Sequence, residues 1–312
     1  MPRPLEPHDL LARRLTRFTR MLHAVEEGDT NGVHRARVAS RRLREVLPVL
    51  PLDADLVDRL GRRLRKITKR LGRVRELDVL IGIVSEVRGS GRHSDIVLER
   101  VGAAIEADRR RTRKRHIAKS QMRELRRVGA KLEKVVRTLE RRRAPGRRAA
   151  GAGKSETSNH RRSHRWAIEA RVGRRASTLE RSMAHAGTVY LPDRLHAVRI
   201  AVKKLRYALE LDHELAGAQQ GPQLRLLRRT QNVLGRLHDL QVLIDRIRHE
   251  QASLIPPDIN VWRELDGLVT SIEDQCRRLH GRYVREVAAL MALCSELSGR
   301  VQDVRHQTTA RS

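Results

Sequence analysis

His34, Arg37, Arg41, Arg42 and Arg44 stand in the same relative positions as His196, Arg199, Lys203, Lys204 and Arg206. Both stretches read His-x-x-Arg-(Val/Ile)-x-x-(Arg/Lys)-(Arg/Lys)-Leu-Arg, and Tyr207 follows the second. Cations at this spacing suit one task, holding a run of anionic oxygens. Arg presents a planar fork that takes two phosphate oxygens at once, and Lys presents a point charge. A His beside a bound anion is favoured in its protonated form and becomes a further donor. A flexible phosphate chain repeats its charge at every unit, so cations one helical turn apart meet successive groups.

A second set of cations repeats as well. Arg62, Lys66, Lys69 and Arg73 align with Arg225, Arg229, Asn232 and Arg236, at i, i+4, i+7 and i+11 on one helical face. The adjoining Leu71-Gly72-Arg73-Val74-Arg75-Glu76-Leu77 aligns with Leu234-Gly235-Arg236-Leu237-His238-Asp239-Leu240. Each half of the chain is thus expected to carry two basic rails on neighbouring helices.

Other chemistries find too few residues. Neither His34 nor His196 has a second ligand at short helical spacing, and no H-E-x-x-H occurs, so no metal site is expected. A capping or core role remains the alternative reading of both. Gly151-Ala152-Gly153-Lys154-Ser155 resembles the end of a phosphate-binding loop, but Arg148 occupies the earlier glycine position and no strand precedes it. His8-Asp9 and His238-Asp239 are isolated pairs. Glu76, Asp78 and Asp239 read as caps or salt bridges at a helix–helix corner, aiming nearby arginines. The run Arg109–Arg115 either lines the same groove or is solvated, and stays outside the site. No catalytic residue and no cofactor are predicted.

The elements that must position these residues are helices. At about 100° per residue, His34, Arg37, Arg41 and Arg44 fall near 0°, 300°, 340° and 280°. Val33, Ala36, Leu43, Leu47 and Leu50 occupy about 160° to 260°, an arc that packs on a neighbour. Helical period predicts helices over 9–27, 32–47, 53–71, 75–87, 94–118 and 120–141 in the first half. In the second it predicts 165–186, 192–214, 222–235, 237–251 and 258–300, the last broken near Gly281. The expected domain spans 8–304, as repeats 8–143 and 164–304 joined by a flexible basic linker 144–163. The fold class is all-α, two pseudo-symmetric antiparallel helical bundles.

Lys and Arg number 67 against 37 Asp and Glu, a formal charge of +30 over 312 residues. Pairing every acid leaves a self-repelling surplus, so a polyanion is the expected partner. Aromatics at 2% leave few platforms for stacking single-stranded bases. Apolar residues at 39%, mostly Leu, Val and Ala, suffice for a helical core. The two cysteines, Cys276 and Cys294, lie about 27 Å apart if one helix carries both, too far to bond. The N-terminus lacks an apolar signal region and no stretch reaches about 20 apolar residues. A cytoplasmic protein without membrane insertion is expected.

These motifs resemble the CHAD family, the conserved histidine α-helical domain. The resemblance rests on both His-cation helices and both L-G-x-x-x-(D/E)-x-x-V segments, in order and at half-length, over roughly 8–304. It implies two four-helix bundles around a basic central groove or pore and binding of inorganic polyphosphate without catalysis; granule targeting, storage and regulation are the open purposes of such binding. It carries His34, Arg37, Arg41, Arg42 and Arg44 as ligand contacts, with His196, Arg199, Lys203, Lys204, Arg206 and Tyr207. To these the rail pattern adds Arg62, Lys66, Arg73, Arg225, Arg229 and Arg236. Many relatives carry a fused triphosphate-tunnel domain marked by E-x-E-x-K, a motif absent here. A nucleic-acid-associated protein is the second reading, and a phosphohydrolase the third.

Overall fold

The computed structural model describes residues 6–27, 29–143, 154–216 and 221–309, and all regular structure among them is helical. Helix α1 (Pro7–Glu26) opens with proline at its first position, where the missing N–H costs nothing. Asp29 caps α2 (Thr30–Val46) by accepting from the Asn31 N–H at 2.8 Å. Pro48 ends α2 in a short 3₁₀ turn, Leu47–Val49. Asp53 caps α3 (Ala54–Gly89) through the Leu56 N–H at 3.0 Å. There follow α4 (Asp95–His116), α5 (Lys119–Arg143), α6 (Lys154–Ala186), α7 (Pro192–Ala216), α8 (Pro222–Ala252) and α9 (Ile259–Thr309).

Four boundaries differ from expectation. The helices expected at 53–71 and 75–87 are one 36-residue helix, α3. Those expected at 222–235 and 237–251 are likewise α8. Gly72 and Gly235 do not interrupt them. A helical glycine costs roughly 1 kcal/mol relative to alanine, and unbroken burial of Leu71, Val74 and Leu77, or of Leu234, Leu237 and Leu240, outweighs that. Nor does α9 break at Gly281, because Tyr283 and Leu290 just beyond it stay in the core. The break belongs to the first half, where Ile117 and Ala118 separate α4 from α5. Finally, α6 starts at Lys154 rather than near 165. Extending a formed helix is cheap compared with nucleating one. The rest of the expected linker, 144–153, with most of the loop-like Gly151–Ser155 motif, lies outside the described residues.

The cores show why the long helices run through. Leu11, Phe18, Leu43, Leu64 and Leu132 fill a bundle of α1, α2, the first half of α3, and α5. Leu179, Leu205, Leu227 and Leu290 fill its counterpart of α6, α7, the first half of α8 and the second half of α9. A third core joins the two halves. There the second halves of α3 and α8 pack with α4 and the first half of α9, through Leu80, Ile244, Leu98 and Ile272. Helices α3 and α8 thus each belong to two cores, and α9 alone does the work of α4 and α5. The repeat also extends to α1 and α6. Leu11, Leu15, Phe18, Leu22 and Val25 have the register of Val172, Ala176, Leu179, Met183 and Ala186.

Cys276 and Cys294 are both buried thiols on α9. Among the described residues no helix is long and apolar enough to cross a membrane.

Candidate polyanion-binding site

The two rail helices, α2 and α7, pack against each other at the junction of the halves. Val33, Ala36 and Leu43 anchor α2 in one core, and Val198, Val202 and Leu205 anchor α7 in the other. The hydroxyls of Ser40 and Thr68, 2.8 Å apart and buried, tie α2 to α3. What the two helices turn towards each other is charge. Burial, Arg41 and Arg199 lower Arg37 to about 10. Burial lowers Arg199 too, with Arg41 adding and Asp239 opposing. Lys203 falls furthest. Burial, then Arg41, Arg199, Arg37 and Arg206, bring it down to about 6. Arg37, Arg41, Arg199 and Lys203 are therefore mutual neighbours, and among the described residues none of them makes an ion pair. Asp239 and Glu76 supply the nearby negative charge. The Arg37 Nε is buried without a hydrogen-bond partner. Gly72 makes room for this side chain, since a Cβ there would sit 3.2 Å from Nε.

The histidines flank this cluster. His196 and His238 bring their Nδ1 atoms within 3.3 Å, with ring centroids 4.6 Å apart. Two protonated rings cannot share that contact. His238 is pushed down to about 4 by burial, then by Arg199, His196, Lys203 and Arg37. His34 is lowered by burial, then by Arg75, Arg37 and Arg41. The repeat places Arg75 where the second half has His238, so each motif histidine meets a basic group from the neighbouring long helix.

The other predicted residues divide into three groups. Arg44 and Lys204 continue the cationic surface. Arg41, Arg65 and Arg175 lower Arg44, while Arg175, Arg44 and Arg65 lower Lys204, burial leading in both. Arg42 and Arg206 instead reach the buried Glu210 carboxylate at 3.3 and 3.0 Å. Tyr207 is 6% exposed, with the Arg206 guanidinium over its ring at 4.7 Å, so it packs instead of presenting a free face.

The third group is the second pair of rails, which turns away from α2 and α7. Lys66 lies 3.8 Å from Glu124 of α5, with Arg70 on the same carboxylate, and Arg73 meets His116 at 3.4 Å. Arg62, on the same rail, is exposed. Arg229 pairs with Glu286 of α9 at 2.5 Å, Arg236 pairs with Glu86, and Arg225 is exposed. The face of α3 that meets α2 runs instead through Arg65, Thr68, Gly72 and Arg75, about 100° round the helix from the expected rail. Sequence reasoning therefore missed Arg65, Arg75, Arg175 and His238. The aligned pairs Arg65/Arg228 and Arg75/His238 held the signal, a basic group in both halves at the same register.

Asp78 and Glu76 sit inside α3 and Asp239 inside α8, not at a corner. Asp78 accepts from Arg109 at 2.7 Å, and Arg111 pairs with Asp108, so this part of the basic run is engaged in ion pairs.

A helical duplication whose two motif helices meet across a cationic junction is the architecture of the CHAD domain. The chain matches that family over residues 9–248 and belongs to it. Two solved structures share the fold. The crystal structure of the CHAD domain from the plant Ricinus communis is 22% identical, with a TM-score of 0.58 and 90% of each chain covered. PptA from Streptomyces chartreusis is 16% identical, with a TM-score of 0.58, covering 90% of this chain and 98% of that one. No curated protein matches the sequence.

Proposed function

We propose that this protein binds inorganic polyphosphate at the junction of α2 and α7, without chemically altering it. One observation carries the reading. Arg37, Arg41, Arg199 and Lys203 are crowded together with no carboxylate in ion-pair contact, so that Lys203 is driven to about 6. Like charges held this close raise the energy of the empty site, and a polyanion relieves that energy on binding. The CHAD resemblance supports a polyphosphate as that anion. The helices fix the cations along a narrow line, which suits a thin flexible chain better than a duplex. Among the described residues no group of three or more His, Cys, Asp or Glu is placed to hold a metal. Attachment to polyphosphate granules follows from the same binding.

The test is a competition for labelled long-chain polyphosphate at about 0.15 M salt, near a Debye length of 8 Å. Unlabelled polyphosphate, duplex DNA, RNA and inositol hexakisphosphate compete at matched phosphate concentration. The proposal expects polyphosphate to win and the bound chain to be recovered intact. Equal or stronger competition by DNA or RNA overturns the ligand assignment, and phosphate release that scales with protein overturns the absence of catalysis.

A further inference from the structure

The cationic cluster has two flanks, equivalent by the internal repeat but not by charge. One holds Arg44, Lys204, Arg65 and Arg175. The other holds Arg206, Arg42, Arg228 and Arg14. The motif equates Arg44 with Arg206 and Lys204 with Arg42. The aligned long helices equate Arg65 with Arg228, and the shared register of α1 and α6 equates Arg175 with Arg14. Both flanks adjoin the centre, since Arg41 lies beside Arg44 and Arg206 beside Lys203.

Only one flank has its cations held in ion pairs by acids. Glu210, 3% exposed, holds Arg42, Arg206 and Arg228 at 3.3, 3.0 and 3.2 Å, and Glu214 holds Arg14 at 3.0 Å. Every cation of that flank is thus already in an ion pair. The repeat places Pro48 and Leu52 where these glutamates stand. On the opposite flank the nearest carboxylate is Glu45, itself buried, and its recorded contacts go to Arg171, at 2.5 and 3.2 Å. Among the described residues, Arg44, Lys204, Arg65 and Arg175 make no ion pair, and Arg65 is exposed while the others are partly so. Beside the glutamate flank lies a cavity of about 300 Å³. Arg14, Arg17, His34, Arg35 and Arg42 line it beside Met21 and Val38, but Arg14, Arg35 and Arg42 are already held by Glu214, Asp29 and Glu210.

We infer that a bound polyanion leaves the central cluster on one side only, across Arg44, Lys204, Arg65 and Arg175, which form an extension subsite. The glutamate flank is a structural clamp. A ligand there must displace Glu210 or Glu214 from arginines that are already in ion pairs, whereas on the open flank it meets cations that Glu45 lies near but does not hold in an ion pair. The inference rests on the polyphosphate reading and adds that long chains lie asymmetrically on a nearly symmetric frame.

The test compares matched positions in the full chain. Affinities for long-chain polyphosphate and for tripolyphosphate are measured for wild type, Arg65→Ala, Arg175→Ala and Arg228→Ala. Arg65→Ala and Arg175→Ala are each expected to weaken the long chain about fivefold or more, Arg228→Ala less than about twofold. Tripolyphosphate, short enough for the central cluster, should change little in all three. Acetylation of Lys204 in the wild-type protein gives a readout independent of any variant's folding, and long-chain polyphosphate should protect it more than tripolyphosphate does. Equal losses for Arg65→Ala and Arg228→Ala, or an unprotected Lys204, overturn the asymmetry and leave the central site standing. No wild-type binding, or full binding by an Arg199→Ala/Lys203→Ala variant, overturns the function proposal itself.

Discussion

Polyphosphate binding should carry protons with it, and Lys203 sets how many. Its folded value of about 6 leaves the amine about 3% protonated at pH 7.5 in the empty site. An anion placed within a few ångströms raises such a group by roughly 1–3 units. A bound value of about 7 to 9 charges more of the amine, so binding takes up about 0.2 to 0.9 proton at this pH. His238, at about 4, stays mostly neutral at this pH after a similar rise and adds at most about 0.2 proton. Around pH 7.5 the affinity should therefore fall by roughly two- to eightfold per pH unit, and below about pH 6 the slope should flatten. Calorimetry in buffers of different ionisation enthalpy counts the protons directly. Lys203→Arg, whose guanidinium stays charged, should bind at least as tightly at pH 8 and lose most of the slope. Zero proton uptake at pH 7.5, or an unchanged slope in Lys203→Arg, would refute the reasoning. Stability gives an independent check of sign. The unfolded lysine titrates near 10.5, so between about 6 and 10.5 the unfolded chain holds more protons and stability should rise with pH. Lys203→Met should raise the melting temperature at pH 7.

Arg37→Ala/Arg41→Ala should weaken polyphosphate binding at least tenfold, because charge-assisted hydrogen bonds contribute roughly 1.5–3 kcal/mol each. Arg62→Ala/Arg225→Ala removes the same charge from exposed positions away from the junction, and equal losses in the two titrations would mean diffuse attraction instead of a site. The logarithm of affinity should fall linearly with the logarithm of salt concentration, by the counterion release established for nucleic acids, and a flat response would count against electrostatic binding. Gly235→Ala should raise the melting temperature, since nothing lies within 4 Å of its new Cβ and alanine gains roughly 1 kcal/mol of helix propensity. Gly72→Ala has the same propensity gain but crowds the Arg37 Nε at 3.2 Å, so it should weaken binding, and identical behaviour of the two variants would contradict the packing of Arg37 against α3.

The helical class and the doubled His-cation motif were legible because each has a period, and periods survive in sequence; that the two motif helices pack on each other across the halves was not. The expected breaks inside α3, α8 and α9 share one cause. At Gly72, Gly235 and Gly281 a local breaker was weighed without the packing that overrides it. The Leu residues on either side bury into different cores, which the sequence does not announce. The second rails face helices other than α2 and α7 for a subtler reason. Regular spacing places cations on one face but does not say which neighbour that face meets, and Glu124 and Glu286 draw Lys66 and Arg229 to α5 and α9. The Glu210 clamp was invisible because its arginines come from α2, α7 and α8, and only folding brings them to one carboxylate.

The choice of cation at the centre follows from the same crowding. Burial lowers Arg37 only to about 10, and it stays charged across the neutral range. The same environment leaves Lys203 uncharged at neutral pH. Delocalised charge and weak hydration let arginine tolerate a site that neutralises lysine. Four arginines would make a stronger but pH-insensitive trap. Three arginines and one lysine keep most of the attraction and couple the remainder to proton concentration. The repeat sharpens the point, because Lys203 occupies the position that Arg41 holds in the first half. Exchanging the two as Arg41→Lys/Lys203→Arg conserves composition and net charge. If the coupling belongs to the burial of position 203, the variant should lose most of the pH slope. If it belongs to any lysine at the junction, the slope should survive the exchange.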